Sequence, residues 1–249
     1  MSINLKKIKL KIFTDFDGTI SNSDVWISAF DSFIEDKTQR DELINRYNNY
    51  EISNRKVNQG DLDLVKNFSF DIFNKNLDNV LIDKTFHDFY NYCKKNEYDL
   101  TILSEGLDYY IDYILKRENL DIKFFSNKLK FSETESGQKL LCEFPFGDEN
   151  CNWCGVSKRN ILINNTDEFN GEVSVFIGDG ESDACAVFYA DIVFAKKKLA
   201  SFCHKNNITY FEFFTFADVI KKLEKLKTEN KLKQKQTAKV NRKDVYYGG

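Results

Sequence analysis

The stretch KIFTDFDGTISNSD, residues 11–24, decides how this chain is read. It closes an apolar run with two aspartates, Asp15 and Asp17, followed at once by Gly18 and Thr19. Carboxylates at the tip of a buried strand cost free energy unless something compensates them, and a bound cation is the obvious compensation. A hard cation such as Mg2+ takes oxygen ligands and keeps several waters. Two carboxylates at i and i+2 just past a strand can both reach one small volume, and Gly18 permits a sharp exit. One of them could attack a phosphorus atom while its neighbour manages the leaving-group proton. An ordinary strand-end turn fits equally well at this point, because Asp-Gly is a common turn dipeptide.

Outward from this stretch, the pattern predicts alternating strands and helices. Residues 8–16 read as a strand, and residues 23–79 as helical, with Trp26, Phe30, Phe33 and Ile34 at three- and four-residue spacing. A further helix is expected over 79–96, a strand over 98–104 and a helix over 106–119. A hairpin is expected over 122–144, with ESGQ (135–138) as its turn. Residues 145–156 form a polar, cysteine-bearing loop, and Ser157 is a plausible N-cap for the helix that follows. VSVFIGD (173–179) is a continuous apolar strand, of the kind buried on both faces of a parallel sheet. A helix over 182–190 and strands over 191–195 and 208–213 complete the set.

This alternation predicts an α/β fold, a Rossmann-like parallel sheet. The helical block 21–79 interrupts it after the first strand and reads as a small inserted cap. The expected organisation is a core of residues 1–20 and 80–220, a cap of 21–79, and a basic tail over 221–249 that frays into disorder.

The composition agrees with one large domain carrying an insertion. The chain has 249 residues, 42% of them hydrophobic, with 23 phenylalanines, 12 tyrosines and a single proline. Net charge is −3, so nothing global points to nucleic acid. The sign is uneven, since from Lys221 onward ten lysines and arginines face three acids. No apolar run approaches the roughly 20 residues of a membrane span. The N-terminal MSINLKKIKLKIF lacks the apolar core of a signal peptide. With six cysteines and no signal, reduced thiols and a cytoplasmic location are expected.

Three further places stand at carboxyl ends of predicted strands, where open α/β sheets put their ligands. Ser104, in TILSEG, offers a hydroxyl and, with Glu105 and Gly106, backbone N–H groups at an expected helix N-terminus, which suits an anion. It would also serve as a simple N-cap. Lys158, in CGVSKRN, is unfavourable for the dipole of the helix it begins unless it reaches a phosphate; a solvated lysine is the plain alternative, and Arg159 competes for the role. FIGDGESDA places Asp179 after an apolar strand, between Gly178 and Gly180, which allow tight turns, and Asp183 four residues on.

In this order, DFDGT, the serine of ILSEG, Lys158 and GDGESD resemble the four motifs of the haloacid dehalogenase superfamily, over roughly residues 8–220. The resemblance implies Asp15 as the nucleophile that forms an aspartyl-phosphate, and Asp17 as general acid and base whose carbonyl also binds Mg2+. It implies Asp179 as the second metal carboxylate and Asp183 as support for the metal shell. Ser104 and Lys158 would bind phosphate, with Lys158 also holding Asp15. The family more often has glycine where this chain has Glu105, which is therefore expected to point outward and offer only its N–H. An inward carboxylate would suit a substrate with a cationic group.

The position of the insertion resembles the phosphoserine phosphatase-like subgroup. Within it, DFDGTISNSD, LSEGLDYYI and ADIVFAKKKLASFCHKNNITYFEFFTFADV look like the methionine-salvage phosphatases, which act on 2-hydroxy-3-keto-5-methylthiopentenyl-1-phosphate. Phosphoserine, phosphocholine and phosphoethanolamine phosphatases share similar features. Asp24 lies where related proteins carry an acidic residue near the substrate, and it would equally cap the first cap helix. The expected partner is a small-molecule phosphate ester, with neither nucleic acid nor membrane.

Cys151 and Cys154 form one C-x2-C pair, with Cys142 nearby, but His87 and His204 are remote and no fourth zinc ligand is evident. Free thiols are the favoured reading, with both histidines structural. The basic tail offers a reading of another class, a non-catalytic binding protein held to RNA or an anionic membrane. Its lack of an amphipathic face and of interleaved aromatics favours a solvated tail.

Overall fold

The computed structural model describes residues 8–134 and 137–246. The first seven residues, Glu135 and Ser136 of the expected hairpin turn, and residues 247–249 lie outside the described residues. The chain divides into two compact units, one of residues 1–15, 83–102 and 158–249, the other of 16–82 and 103–157.

The first unit is built on parallel strands. These are β1 (Leu10–Thr14), the first half of β2 (Asp99–Leu107), β5 (Val173–Gly178), β6 (Ile192–Ala195) and β7 (Phe211–Glu212), in the order β2-β1-β5-β6-β7. Every pair in that run is parallel, with Thr14 opposite both Ile102 and Ile177. All six residues of β5 are buried, which is why its sequence shows no polar alternation. Helices α5 (Phe86–Asn96), α7 (Lys158–Asn164), α8 (Lys197–Lys205), α9 (Phe216–Thr228) and α10 (Gln236–Tyr246) accompany the strands. Phe86 and Phe89 of α5 meet Phe216 of α9 at ring separations of 4.8 and 4.9 Å.

The basic tail departs from expectation. Residues 221–246 are not disordered, for they finish α9 and form α10, with Leu232, Ala238 and Arg242 buried. The anchor is charge rather than an apolar stripe. Arg242 donates from Nε to Glu168 Oε2 (2.9 Å), from Nη1 to the Tyr189 carbonyl (2.6 Å) and from Nη2 to Asp191 Oδ1 (3.2 Å). A single buried arginine leaves no periodicity to read. The expected helix over 182–190 is also absent; two 3-10 turns, Glu181–Asp183 and Ala186–Phe188, stand there instead.

The second unit holds the helical block α1 (Val25–Phe30), α2 (Lys37–Asn48), α3 (Asn54–Asp63) and α4 (Phe70–Asp78). It also holds α6 (Asp108–Arg117), the antiparallel pair β3 (Lys123–Thr134) and β4 (Gly137–Glu143), and the second half of β2, in the order β4-β3-β2. Seven strands are thus formed among the described residues. Asp24, Asp36 and Ser53 cap α1, α2 and α3, their side chains accepting from the amides of Ile27, Gln39 and Lys56. An aromatic core of Phe30, Phe33, Phe68, Phe73, Tyr109 and Phe131 joins α1, α4, α6 and β3. The helical block therefore does not stand alone as residues 21–79; it shares its core with α6 and the hairpin. Buried Arg40 makes a two-pronged pair with Asp61 (2.8 and 2.9 Å), which also accepts from Trp26 Nε1 at 2.7 Å. No helix among the described residues is long and apolar enough to cross a membrane.

Candidate active site

In the first unit, Asp15 follows β1 and Asp179 follows β5, two adjacent parallel strands, so both carboxylates emerge at the same end. The Asp15 amide donates to the Ile177 carbonyl at 2.9 Å, which continues the ladder to the point of exit. Lys158 opens α7, as expected, yet it is no surface lysine, being 0% exposed. Its Nζ donates to Asp15 Oδ1 at 2.7 Å, to Asp183 Oδ1 at 2.6 Å and to Ser182 Oγ at 3.3 Å. Asp183 is held in turn, its Oδ2 accepting from the amides of Asp179 (3.0 Å) and Gly180 (3.1 Å). A Cβ at Gly178 would collide with the Asp183 carboxylate, which explains the glycine there. Lys197 Nζ reaches Asp179 Oδ2 at 2.9 Å.

One carboxylate oxygen from each of Asp15, Asp179 and Asp183 lies within 4.8 Å of the others. Burial, then the charges of Asp183 and Asp179, push the Asp15 carboxyl well above the ordinary range, against the pull of Lys158. Burial likewise raises Asp183. Burial works against the Lys158 ammonium, but Asp15 and Asp183 outweigh it and hold its pKa well above that of a free lysine. The cluster is short of positive charge, its donors are all oxygens, and a small hard dication such as Mg2+ fits both features.

In the second unit, Asp17 sits at a turn in which Gly18 has φ +74° and donates to Ser21 Oγ at 3.0 Å. The Asp17 carboxylate accepts from the Val25 amide at 2.9 Å, from Tyr110 Oη at 3.0 Å and from Ser104 Oγ at 3.2 Å. Burial, and then the neighbouring charge of Asp24, nonetheless push its pKa up to about 7. Asp24 itself is exposed and caps α1, accepting from Ile27 N at 3.0 Å.

Ser104 departs from the sequence expectation. It lies inside β2, which runs to Leu107, so it is not at a helix N-terminus; the strand simply outlasts its apolar residues. Its Oγ accepts from the Gly106 amide at 2.9 Å. A Cβ at Gly106 would collide with Tyr110 and crowd Asp17 Oδ2. Glu105 is corrected too. Its carboxylate neither points away as a bystander nor stands bare, but accepts from the amides of Gly155 (2.9 Å) and Val156 (3.2 Å). The cysteine-bearing loop is further pinned by Arg55, which donates to the carbonyl of Cys154 at 2.8 Å.

The structure thus gathers Asp15, Lys158, Asp179 and Asp183 in one unit, and Asp17, Ser104 and Gly106, with Asp24 nearby, in the other. Sequence reading missed Tyr110, Ser182 and Lys197. Tyr110 is one tyrosine among 12 and lies in the quoted LSEGLDYYI, but nothing in that stretch separates it from Tyr109.

Solved structures share this fold. A phospho-aspartyl intermediate analogue of phosphoserine phosphatase matches with a TM-score of 0.64 at 20% identity, covering 87% of this chain and 99% of that one. A substrate-bound phosphoserine phosphatase complex gives 0.64 at 19%, covering 87% and 98%. A HAD family hydrolase from Salmonella enterica serovar Typhi gives 0.65 at 15%, covering 84% and 68%. The fold is the one those phosphoserine phosphatase structures share. The model of the family described as "Putative Phosphatase" matches residues 10–211, and the chain belongs to that family. Among its relatives is a 2-hydroxy-3-keto-5-methylthiopentenyl-1-phosphate phosphatase of Bacillus cereus, 29% identical over 217 residues, which are 85% of this chain and 94% of that protein. One of the same name from Bacillus thuringiensis is 28% identical over 224 residues, 88% and 98% of the two chains.

Proposed function

We propose that the chain is a Mg2+-dependent phosphomonoester hydrolase working through an aspartyl-phosphate, with a small metabolite as substrate. The observation that carries this reading is the wholly buried Lys158 ammonium held between Asp15 and Asp183 beside Asp179. Such an arrangement is costly for stability alone and suited to taking up a dianionic group and a metal.

In the proposed reaction an Asp15 oxygen attacks phosphorus, and the bond from phosphorus to the ester oxygen breaks. Asp17 gives its proton to the departing alkoxide; a pKa near 7 suits a group that must hold a proton in one step and accept one in the next. A water then loses its proton to Asp17 and attacks the phosphorus of the aspartyl-phosphate, which frees phosphate and restores Asp15. Lys158 and Ser104 offset phosphate charge and fix its orientation. Asp15, Asp179 and Asp183, with the Asp17 carbonyl, would hold Mg2+, which when bound neutralises charge on the transferred group. Asp24, which caps α1, is a candidate for contacting the substrate.

Relatives that match along nearly their whole length favour 2-hydroxy-3-keto-5-methylthiopentenyl-1-phosphate as substrate. Six cysteines that form no disulfide suit a cytoplasmic enzyme. The test is hydrolysis of a panel holding that ester, phosphoserine, phosphocholine, phosphoethanolamine and an aryl phosphate, with Mg2+ and with chelator. Turnover greatest on the first, and lost with chelator, is expected. Metal-independent turnover, or none on any ester by folded protein, would overturn the reading.

A further inference from the structure

The Ser104 turn is braced by an asparagine that no motif marks. The Glu105 carbonyl accepts from Asn127 Nδ2 at 2.6 Å and, more weakly, from Asn58 Nδ2 at 3.4 Å. The peptide between Glu105 and Gly106 is trans, so a carbonyl pulled toward Asn127 turns the Gly106 N–H the opposite way. That N–H donates to Ser104 Oγ at 2.9 Å. A hydroxyl has a single proton, and with its oxygen already accepting, the proton is directed onward to Asp17 Oδ2 at 3.2 Å. The bonds form one directional chain, Asn127 amide to peptide to Ser104 to Asp17, in which each strengthens the next.

The side chain of Asn127 is set for this task. It is 0% exposed, and its Oδ1 is the one buried side-chain polar atom without a partner among the described residues. Flipping the amide would set that oxygen against the Glu105 carbonyl. The residue therefore forgoes an acceptor partner to keep its donor in place. Room for the amide comes from Gly155, where any Cβ would collide with it. The same segment supplies the Gly155 and Val156 amides that hold the Glu105 carboxylate, so Glu105 is pinned at both ends of its side chain and peptide.

We propose that Asn127 is a positioning residue for phosphate binding, acting through the Glu105–Gly106 peptide to orient the Ser104 hydroxyl. This rests on the phosphatase reading above.

The experiment measures inorganic phosphate binding by calorimetry with Mg2+, and steady-state kinetics on the best ester of the panel. It compares full-length wild type, Asn127→Asp, Asn127→Ala and Asn58→Ala. Asn127→Asp keeps the shape and replaces the donor with an acceptor. Both Asn127 variants should weaken phosphate binding and raise KM about tenfold, the usual effect of one lost hydrogen bond to a poised group. They should leave kcat within about threefold. Asn58→Ala, losing the longer contact, should shift both by about twofold to threefold. Folded Asn127 variants with wild-type phosphate affinity and KM overturn the inference. Should neither Asn127 variant fold, Asn58→Ala decides alone, and wild-type values in it overturn the inference. A wild type that turns over an ester but is followed by unaffected variants sinks only this inference; a wild type that binds no phosphate and hydrolyses nothing sinks the phosphatase reading as well.

Discussion

Replacing Lys158 with methionine keeps most of the side-chain volume and removes the charge. The ammonium has no exposure and bonds Asp15 and Asp183 at 2.7 and 2.6 Å. Its loss leaves two buried carboxylates uncompensated, and removing one partner of such a pair costs about 3–5 kcal/mol. In a chain of this size each kcal/mol lowers Tm by about 2–4 °C, so a fall of roughly 6–20 °C is expected in chelator. The fall should be pH-dependent. Asp15 and Asp183 already have pKa values raised above 3.8 in the folded state, and without Lys158 both rise further. A carboxyl whose folded pKa is raised binds its proton more tightly when folded. The folded state is then penalised above that raised pKa and relieved as pH falls through it toward the ordinary 3.8. Lys158→Met should therefore regain part of its Tm between neutral pH and about pH 5, by more than wild type does. Differential scanning fluorimetry across pH reads this directly. A Tm within a degree or so of wild type at neutral pH, or the same pH slope in both proteins, would refute the claim that Lys158 offsets buried charge.

Asp17→Asn should lower turnover of alkyl esters by about 10²–10⁴-fold and of a good aryl leaving group by much less, since only the former needs the proton; parallel kinetics on the two classes check this. Arg242→Met should destabilise the first unit by about 3–5 kcal/mol, because Glu168 and Asp191 lose their buried partner; urea melts would show it, and an unchanged midpoint would mean α10 is merely laid on the surface. Limited alkylation followed by mass spectrometry should label exposed Cys151 first. Cys93 and Cys203, whose thiols burial pushes up to about 12 and about 11, should resist until unfolding, as should buried Cys142.

Much of the fold was legible because its signals are local. The apolar runs before Asp15 and Asp179 mark strand ends, and Gly18 marks the exit, which adopts φ +74°. Asp15, Asp17 and Asp179 could be singled out because charge at the end of an apolar strand is anomalous in itself, and Lys158 because a cation in a helix's first turn opposes the dipole. Ser104 was found, but its setting was misread, since a strand that continues into SEGL shows no apolar alternation. Glu105, Asn127 and Tyr110 act through partners 22 to 93 residues away, and spacing carries no trace of such pairings. The tail misled because composition reports a run of lysines as solvated, whereas one arginine in four polar contacts orders α10.

Covalent transfer to Asp15 is tested by an acid-quenched single turnover of the full-length protein with Mg2+ and an ester labelled at phosphorus, followed by peptide mapping. Label is expected on the peptide containing Asp15, absent with chelator and absent in Asp15→Asn, which should also lose turnover. Turnover that survives Asp15→Asn, or label that settles on another residue, would contradict transfer to Asp15.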